Sequence, residues 1–167
     1  MSFPQGNLAS EELTPIFCKE PVVNFVSHST KYALVACYLD QRKRVDMILR
    51  SWKFVPEELS LIVVGDGPNF KELKSLSTQM GLSQRVFFTG RISDGCLTYL
   101  ISNALFGVVA SQREGFPTFI VECLKSGIPA IFFISNDDYI YERAGGDYLY
   151  VRKLNCHSLR EISLLRN

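Results

Sequence analysis

Residues 111–122 decide the fold, and they read Ser-Gln-Arg-Glu-Gly-Phe-Pro-Thr-Phe-Ile-Val-Glu. The apolar run at residues 104–110 comes directly before them and predicts a buried strand. Apolar residues then recur at helical spacing, and Pro117 suits a first helical turn because its missing N–H has no helical partner there. The stretch therefore predicts a buried strand, a loop and the start of a helix.

A helix start at this loop favours an anionic ligand, because its unpaired N–H groups and partial positive charge suit a phosphate. Glu114 lies in the loop, and Glu122 lies on the same helix face as Thr118. Both carboxylates repel a diphosphate but accept hydrogen bonds from sugar hydroxyls. The alternative is structural: Glu114 caps the helix and Glu122 is a solvated helix residue.

The two glutamates, separated by seven residues with Gly115-Phe116-Pro117 after the first, resemble the donor-site signature of GT-B retaining glycosyltransferases, glycosyltransferase family 4. Four other segments fall in the family's order. They are Lys43-Arg44-Val45-Asp46 for its Lys-Gly-x-Asp, Val64-Gly65-Asp66-Gly67-Pro68 for its Gly-x-Gly-Pro turn, Phe88-Thr89-Gly90-Arg91-Ile92 for its Phe-x-Gly segment, and Glu142-Arg143-Ala144-Gly145-Gly146 for its closing turn. The resemblance covers residues 33–165.

The resemblance implies a role for each matching residue. Lys43 and Glu114 would be catalytic, Lys43 on the donor diphosphate and Glu114 on the sugar hydroxyls, while Glu122 would hold the ribose. The rest of the implied donor site comprises Gly65, Gly67, Arg91, Ile92, Gly115, Phe116, Pro117 and Thr118. The donor would be a UDP-, GDP- or ADP-sugar, with no metal and no other cofactor. For Gly65 and Gly67 ordinary turn chemistry is an equal alternative, and Arg91 either stacks on a base or is simply exposed.

Strand-like and helix-like segments alternate from residue 33 to the end, which predicts a parallel sheet covered on both faces. Right-handed crossovers then give a single Rossmann-like, doubly wound α/β domain over residues 33–167. Residues 1–32 are expected to form a connecting segment. By resemblance the domain is half of a GT-B enzyme. An N-terminal acceptor-binding half is expected in cis or from a partner chain.

Composition excludes several other classes. Lys and Arg total 18 against 17 Asp and Glu, which argues against binding nucleic acid through bulk charge. No apolar run reaches membrane-spanning length. Five scattered cysteines without a Cys-x-x-Cys pair make zinc improbable and favour a reducing compartment. We expect a cytoplasmic protein, with peripheral association of the full-length enzyme at the cytoplasmic face of a membrane as a further expectation.

The predicted function is donor binding in a retaining transferase that moves a hexose-type sugar from a nucleoside diphosphate to a glycan or lipid-linked acceptor. Such a hexosyltransferase would be inactive without its acceptor-binding half. One alternative is a catalytically silent nucleotide-sugar-binding module, which Cys37 favours slightly because many relatives place a basic residue near that position. A Rossmann-like oxidoreductase is less well supported, since no Gly-x-Gly-x-x-Gly follows the first predicted strand.

Overall fold

The computed structural model describes residues 31–111, 118–133 and 149–151. Several sequence predictions lie outside these residues. They concern the connecting segment before residue 31, the loop residues Glu114, Gly115, Phe116 and Pro117, and the turn at residues 142–146.

Strands and helices alternate along the described chain, as predicted. The strands are β1 (Tyr32–Ala36), β2 (Ser60–Val64), β3 (Val86–Gly90), β4 (Phe106–Val109), β5 (Ala130–Phe133) and β6 (Leu149–Val151). The helices are α1 (Val45–Trp52), α2 (Phe70–Gln79), α3 (Asp94–Asn103) and α4 (Thr118–Lys125). A short 3-10 turn, Gln41–Lys43, lies between β1 and α1. β1 ends at Ala36, so Cys37 and Tyr38 belong to the following loop rather than to the strand that the sequence predicts.

The six strands form one sheet in the order β3-β2-β1-β4-β5-β6, and every neighbouring pair is parallel. The predicted parallel, doubly wound α/β fold is therefore confirmed. From β1 the chain moves outward to β2 and β3, then crosses back to build β4 on the other side of β1. The carboxyl ends of β1 and β4 thus form the topological switch point, where open α/β sheets bind ligands.

Both faces of the sheet are covered, because alternate residues of each strand point to opposite sides. In β1, Ala33 and Val35 pack in the cluster that contains the apolar residues of α1 and α2. Tyr32 and Leu34 pack in the opposite cluster, with α3 and α4. The Tyr32 hydroxyl donates a 2.7 Å hydrogen bond to the Leu100 carbonyl, so the buried phenol keeps a partner. Burial raises the pKa of Tyr32 and keeps that hydroxyl protonated.

A glycine in β4 sets how closely α4 approaches the sheet. A Cβ at Gly107 would lie 2.5 Å from the Cys123 Sγ and 3.1 Å from the Phe119 Cε1. Cys123 and Phe119 are the buried residues of α4. Burial, reinforced by the neighbouring Glu122 charge, raises the pKa of the Cys123 thiol to about 12, so Cys123 packs as a neutral side chain. Gly107 therefore lets α4 lie directly on β4.

Replacing Gly107 by alanine should lower the free energy of unfolding by about 1–3 kcal/mol, because the added methyl overpacks this contact. Denaturant unfolding followed by circular dichroism measures the change. Gly95→Ala in α3 is the matched control, since a Cβ there meets nothing within 4 Å and alanine should stabilise the helix by up to about 1 kcal/mol. The Gly107→Ala penalty should shrink in a Cys123→Ala background, and a penalty as large as before would contradict the proposed contact.

Candidate functional site

The candidate site is a pocket of about 190 Å³ between the carboxyl ends of β1 and β4. Lys43 enters it from the 3-10 turn after β1, and Thr118 enters it from the start of α4. Thr118 is the first residue of α4, so the positive end of the helix dipole lies at the pocket. The structure thus brings together two of the predicted site residues, which are far apart in sequence, at the switch point.

Asp40 holds the turn that carries Lys43. Its carboxylate accepts hydrogen bonds from the backbone N–H of Arg42 at 3.0 Å and of Lys43 at 3.2 Å. It also pairs with the Arg42 guanidinium, with Nη2 at 2.6 Å and Nε at 2.9 Å. Partial burial raises the pKa of Asp40, but the bonds and charge of Arg42 and the two N–H groups outweigh it, and the net pKa is lowered. Asp40 therefore stays ionised and fixes the backbone of the turn.

Arg44 has an unusual backbone conformation. Its φ of 49° and ψ of 35° are left-handed, and among the described residues no other side-chain-bearing residue has a positive φ. Arg44 stands where the Lys-Gly-x-Asp pattern has glycine, the residue that adopts this conformation without strain. Its guanidinium lies 3.4 Å from the Asp46 carboxylate, which keeps the side chain beside α1. The turn thus requires a left-handed residue at this position, which explains the glycine of the pattern. Arg44 adopts the same conformation at an energetic cost.

Gly65 and Gly67 let the β2–α2 loop pack against the β1–α1 loop. Gly65 has a φ of +127°, and a Cβ there would overlap the Cys37 carbonyl oxygen. At Gly67 a Cβ would lie 2.5 Å from the Leu39 carbonyl oxygen. The backbone N–H of Leu39 donates a 3.0 Å hydrogen bond to the Asp66 carbonyl, and this joins the two loops. Loop packing accounts for both glycines, and their predicted contact with a ligand stays a prediction.

Three predicted donor residues within the described part of the chain, Arg91, Ile92 and Glu122, do not line the pocket. Arg91 is exposed after β3, two strands away from β1, and Ile92 is half-buried against the α3 side of the core. Glu122 is exposed on α4, four residues after Thr118 and so on the same helix face. The roles inferred for these residues by resemblance therefore stay predictions.

The sequence reasoning gave no binding role to the lining residues Tyr38 and Ser111, and it noted Cys37 only as a position near which many relatives have a basic residue. Cys37 and Tyr38 were assigned to the strand, because the apolar run from residue 33 continues past the end of β1. Ser111, only 1% exposed, follows β4 directly. No group of three His, Cys, Asp or Glu among the described residues is placed to hold a metal ion. Nor is any helix in the described ranges long and apolar enough to cross a bilayer.

A doubly wound parallel sheet defines the class of open α/β domains, whose ligands bind at the switch point, and here a cation and a helix start meet at that point. Residues 19–138 match the sequence model of the glycosyl transferases group 1 family, and the chain belongs to this family. The resemblance found in the sequence is thereby confirmed.

Two named bacterial relatives agree with this family assignment. The chain is 30% identical over 92 residues to a lipopolysaccharide 1,6-galactosyltransferase of Salmonella typhimurium, covering 54% of this chain and 26% of that one. It is 29% identical over 108 residues to an N-acetyl-alpha-D-glucosaminyl L-malate synthase of Bacillus anthracis, covering 64% and 28%. The chain thus spans about a quarter of the length of these relatives.

Solved structures share the fold. HepE of Anabaena, crystallised with UDP-glucose, superimposes with a TM-score of 0.71 at 21% identity, covering 86% of this chain and 40% of that one. The lipopolysaccharide outer core galactosyltransferase WaaB in its apo form gives a TM-score of 0.66 at 21% identity, covering 81% and 40%. The GT-B relationship predicted from sequence is therefore supported by the fold as well as by the family.

Replacing Arg44 by glycine should raise the free energy of unfolding by about 0.5–1 kcal/mol. The left-handed conformation costs a side-chain-bearing residue about 1–2 kcal/mol, and the greater freedom of unfolded glycine offsets part of that gain. Arg42→Gly is the matched control, because Arg42 lies in the 3-10 turn and pairs with Asp40, so its loss should destabilise. Thermal and denaturant unfolding give both values. Equal destabilisation by the two variants would show that Arg44 is not strained.

Proposed function

We propose that this chain is the donor-binding half of a retaining glycosyltransferase that transfers a hexose-type sugar from a nucleoside diphosphate to a glycan or lipid-linked acceptor. The observation that carries the proposal is the meeting of Lys43 and the start of α4 in one pocket at the switch point. A cation and a helix N-terminus together are suited to a diphosphate. The UDP-glucose in the HepE crystal structure is a ligand of that class.

The chemistry follows from where charge develops. When the bond between sugar and diphosphate breaks, negative charge grows on the phosphate oxygens of the leaving group. Groups already aimed at that charge lower the barrier, since no reorganisation is needed during the reaction. We assign this role to the Lys43 ammonium and to the N–H groups at the start of α4. In our proposal Asp40 contributes by holding the backbone of the turn that carries Lys43.

The remaining assignments rest on the family resemblance. Glu114 would hold hydroxyls of the transferred sugar, Glu122 the ribose, and the backbone edge near Arg91 the base. We propose that the anomeric configuration is retained and that no metal takes part. This half need not supply a general base for the acceptor. That acceptor would bind to a second α/β half, in keeping with a chain that spans 26% and 28% of two relatives.

The first test is calorimetric titration of UDP, GDP and ADP into the chain, with Lys43→Ala as the variant. Lys43→Ala should weaken diphosphate binding by about 1.5–3 kcal/mol, the usual range for a hydrogen bond to a charged group. Arg42→Ala removes the same charge from the same turn, but Arg42 is 76% exposed at its side chain and does not line the pocket. Equal losses in the two variants would indicate bulk electrostatics rather than a site.

A second prediction concerns the ribose. Glu122→Ala should weaken binding of a nucleoside diphosphate by about 1–3 kcal/mol, while leaving the affinity for inorganic pyrophosphate unchanged. Glu72→Ala is the control, because Glu72 is an exposed helix glutamate on α2, on the other face of the sheet. Unchanged nucleotide affinity in Glu122→Ala would favour the solvated-helix alternative for this residue.

The same titrations separate the other candidate functions. If no nucleoside diphosphate binds even at millimolar concentration, the donor-binding proposal is wrong. Binding of a nicotinamide dinucleotide without affinity for sugar nucleotides would favour the oxidoreductase. Tight donor binding that never supports transfer, even after an acceptor half has been supplied, would favour a catalytically silent module.

A further inference from the structure

We propose that the Tyr38 hydroxyl donates a hydrogen bond to the diphosphate of the donor, and that Tyr38 is thus a further binding residue of this site. The inference rests on the proposed function, since it names a contact within the same pocket. Tyr38 lines that pocket together with Lys43 and Thr118, in the loop between the end of β1 and the 3-10 turn. Nothing in the sequence patterns assigned it a role.

The exposure of Tyr38 is the first observation. Tyr38 is 60% exposed. In the described chain the other large apolar residue with similar exposure is Phe54, at 57%. Phe54 follows α1 and lines no part of the pocket, whereas Tyr38 stands at its wall. A mostly exposed ring beside a concave pocket is available to a ligand without any rearrangement of the core.

The size and charge of the pocket are the second observation. About 190 Å³ is less than the roughly 300–1,000 Å³ of a complete small-molecule site, so the pocket holds only part of a nucleotide sugar. Among the described residues that line it, Lys43 alone carries a positive charge. A diphosphate carries several acceptor oxygens, so it can accept a further hydrogen bond beside those of Lys43 and the start of α4. A phenol at the wall supplies another donor without the cost of burying a second cation.

The phenol hydroxyl, rather than the ring face, is the group that fits this ligand. A ring stacks on a flat partner, and the diphosphate proposed for this pocket has none. The loop is also held rigidly: the backbone N–H of Cys37 donates to the Val64 carbonyl at 3.2 Å, and that of Leu39 donates to the Asp66 carbonyl at 3.0 Å. These bonds flank Tyr38 on both sides, so its Cα is fixed at the mouth of the pocket.

Tyr38→Phe removes one oxygen atom and tests the hydrogen bond directly. Calorimetric titration of UDP and of inorganic pyrophosphate should show affinities about tenfold lower than for the unaltered chain, in the same ratio for both probes. Tyr99→Phe is the matched control, because it removes the same atom from a half-buried tyrosine of α3 that does not line the pocket. It should leave both affinities unchanged, and thermal unfolding checks that each variant is folded.

The outcomes separate this inference from the function on which it rests. If the unaltered chain binds neither probe, the donor-binding proposal itself is overturned. If that chain binds both and Tyr38→Phe binds equally well, only the hydrogen bond is overturned. A loss in Tyr38→Ala but not in Tyr38→Phe would assign the contact to the ring and overturn the hydroxyl. A loss for UDP but not for pyrophosphate would place the contact on the nucleoside and would equally overturn the proposal.

Discussion

The central constraint in this domain is that β1 pairs with a parallel strand on each side, β2 on one and β4 on the other. The chain adds β2 and β3 on one side of β1 and then returns to add β4 on the other. Right-handed crossovers then send the connections after β1 and β4 to opposite faces of the sheet. α1 accordingly packs in one core cluster and α4 in the other. The two connections diverge just beyond the strands, and the space between them is the pocket that receives Lys43 from one side and Thr118 from the other. The position of the pocket thus follows from the topology of the sheet and not from the identity of particular side chains.

The precision of that site comes from backbone contacts between loops rather than from side-chain packing. In the loop after β2, the N–H of Asn69 donates to the Leu39 carbonyl at 3.0 Å, and the N–H of Gly65 donates to the Gly90 carbonyl at 2.9 Å. The loop after β2 is thereby bound both to the loop after β1 and to the end of β3. Only glycine allows the close approach at residue 65, where any Cβ would collide with a neighbouring carbonyl. A glycine that a sequence motif presents as a ligand contact can therefore be required for loop packing instead. Here that packing supports the adjacent loop, which carries Lys43.

The order of elements along the chain could be predicted from sequence because strands buried on both faces appear as short apolar runs and each helix shows one apolar stripe. The Ser93 hydroxyl accepts a hydrogen bond from the Cys96 N–H and caps α3, a local interaction that depends on neighbouring residues alone. The C-terminal end of β1 could not be predicted, since Cys37 and Tyr38 extend the apolar run although the paired strand ends at Ala36. The left-handed conformation of Arg44 could not be predicted from the periodicity of apolar residues either, because arginine gives no local signal for that conformation. Local patterns thus predict the elements, while their ends depend on pairing between distant segments.

Electrostatics favours the combination of Lys43, the one cation among the described lining residues, with the start of α4. A second cation close to Lys43 would raise the cost of desolvation and repel the first when no ligand is bound. A helix N-terminus contributes partial charge that is fixed in the backbone and stays in place in the absence of ligand. Asp40 adds to this arrangement, because its carboxylate accepts hydrogen bonds from the backbone N–H groups of Arg42 and Lys43 and also pairs with the Arg42 guanidinium. The acid therefore holds the backbone of the turn from which Lys43 reaches the pocket.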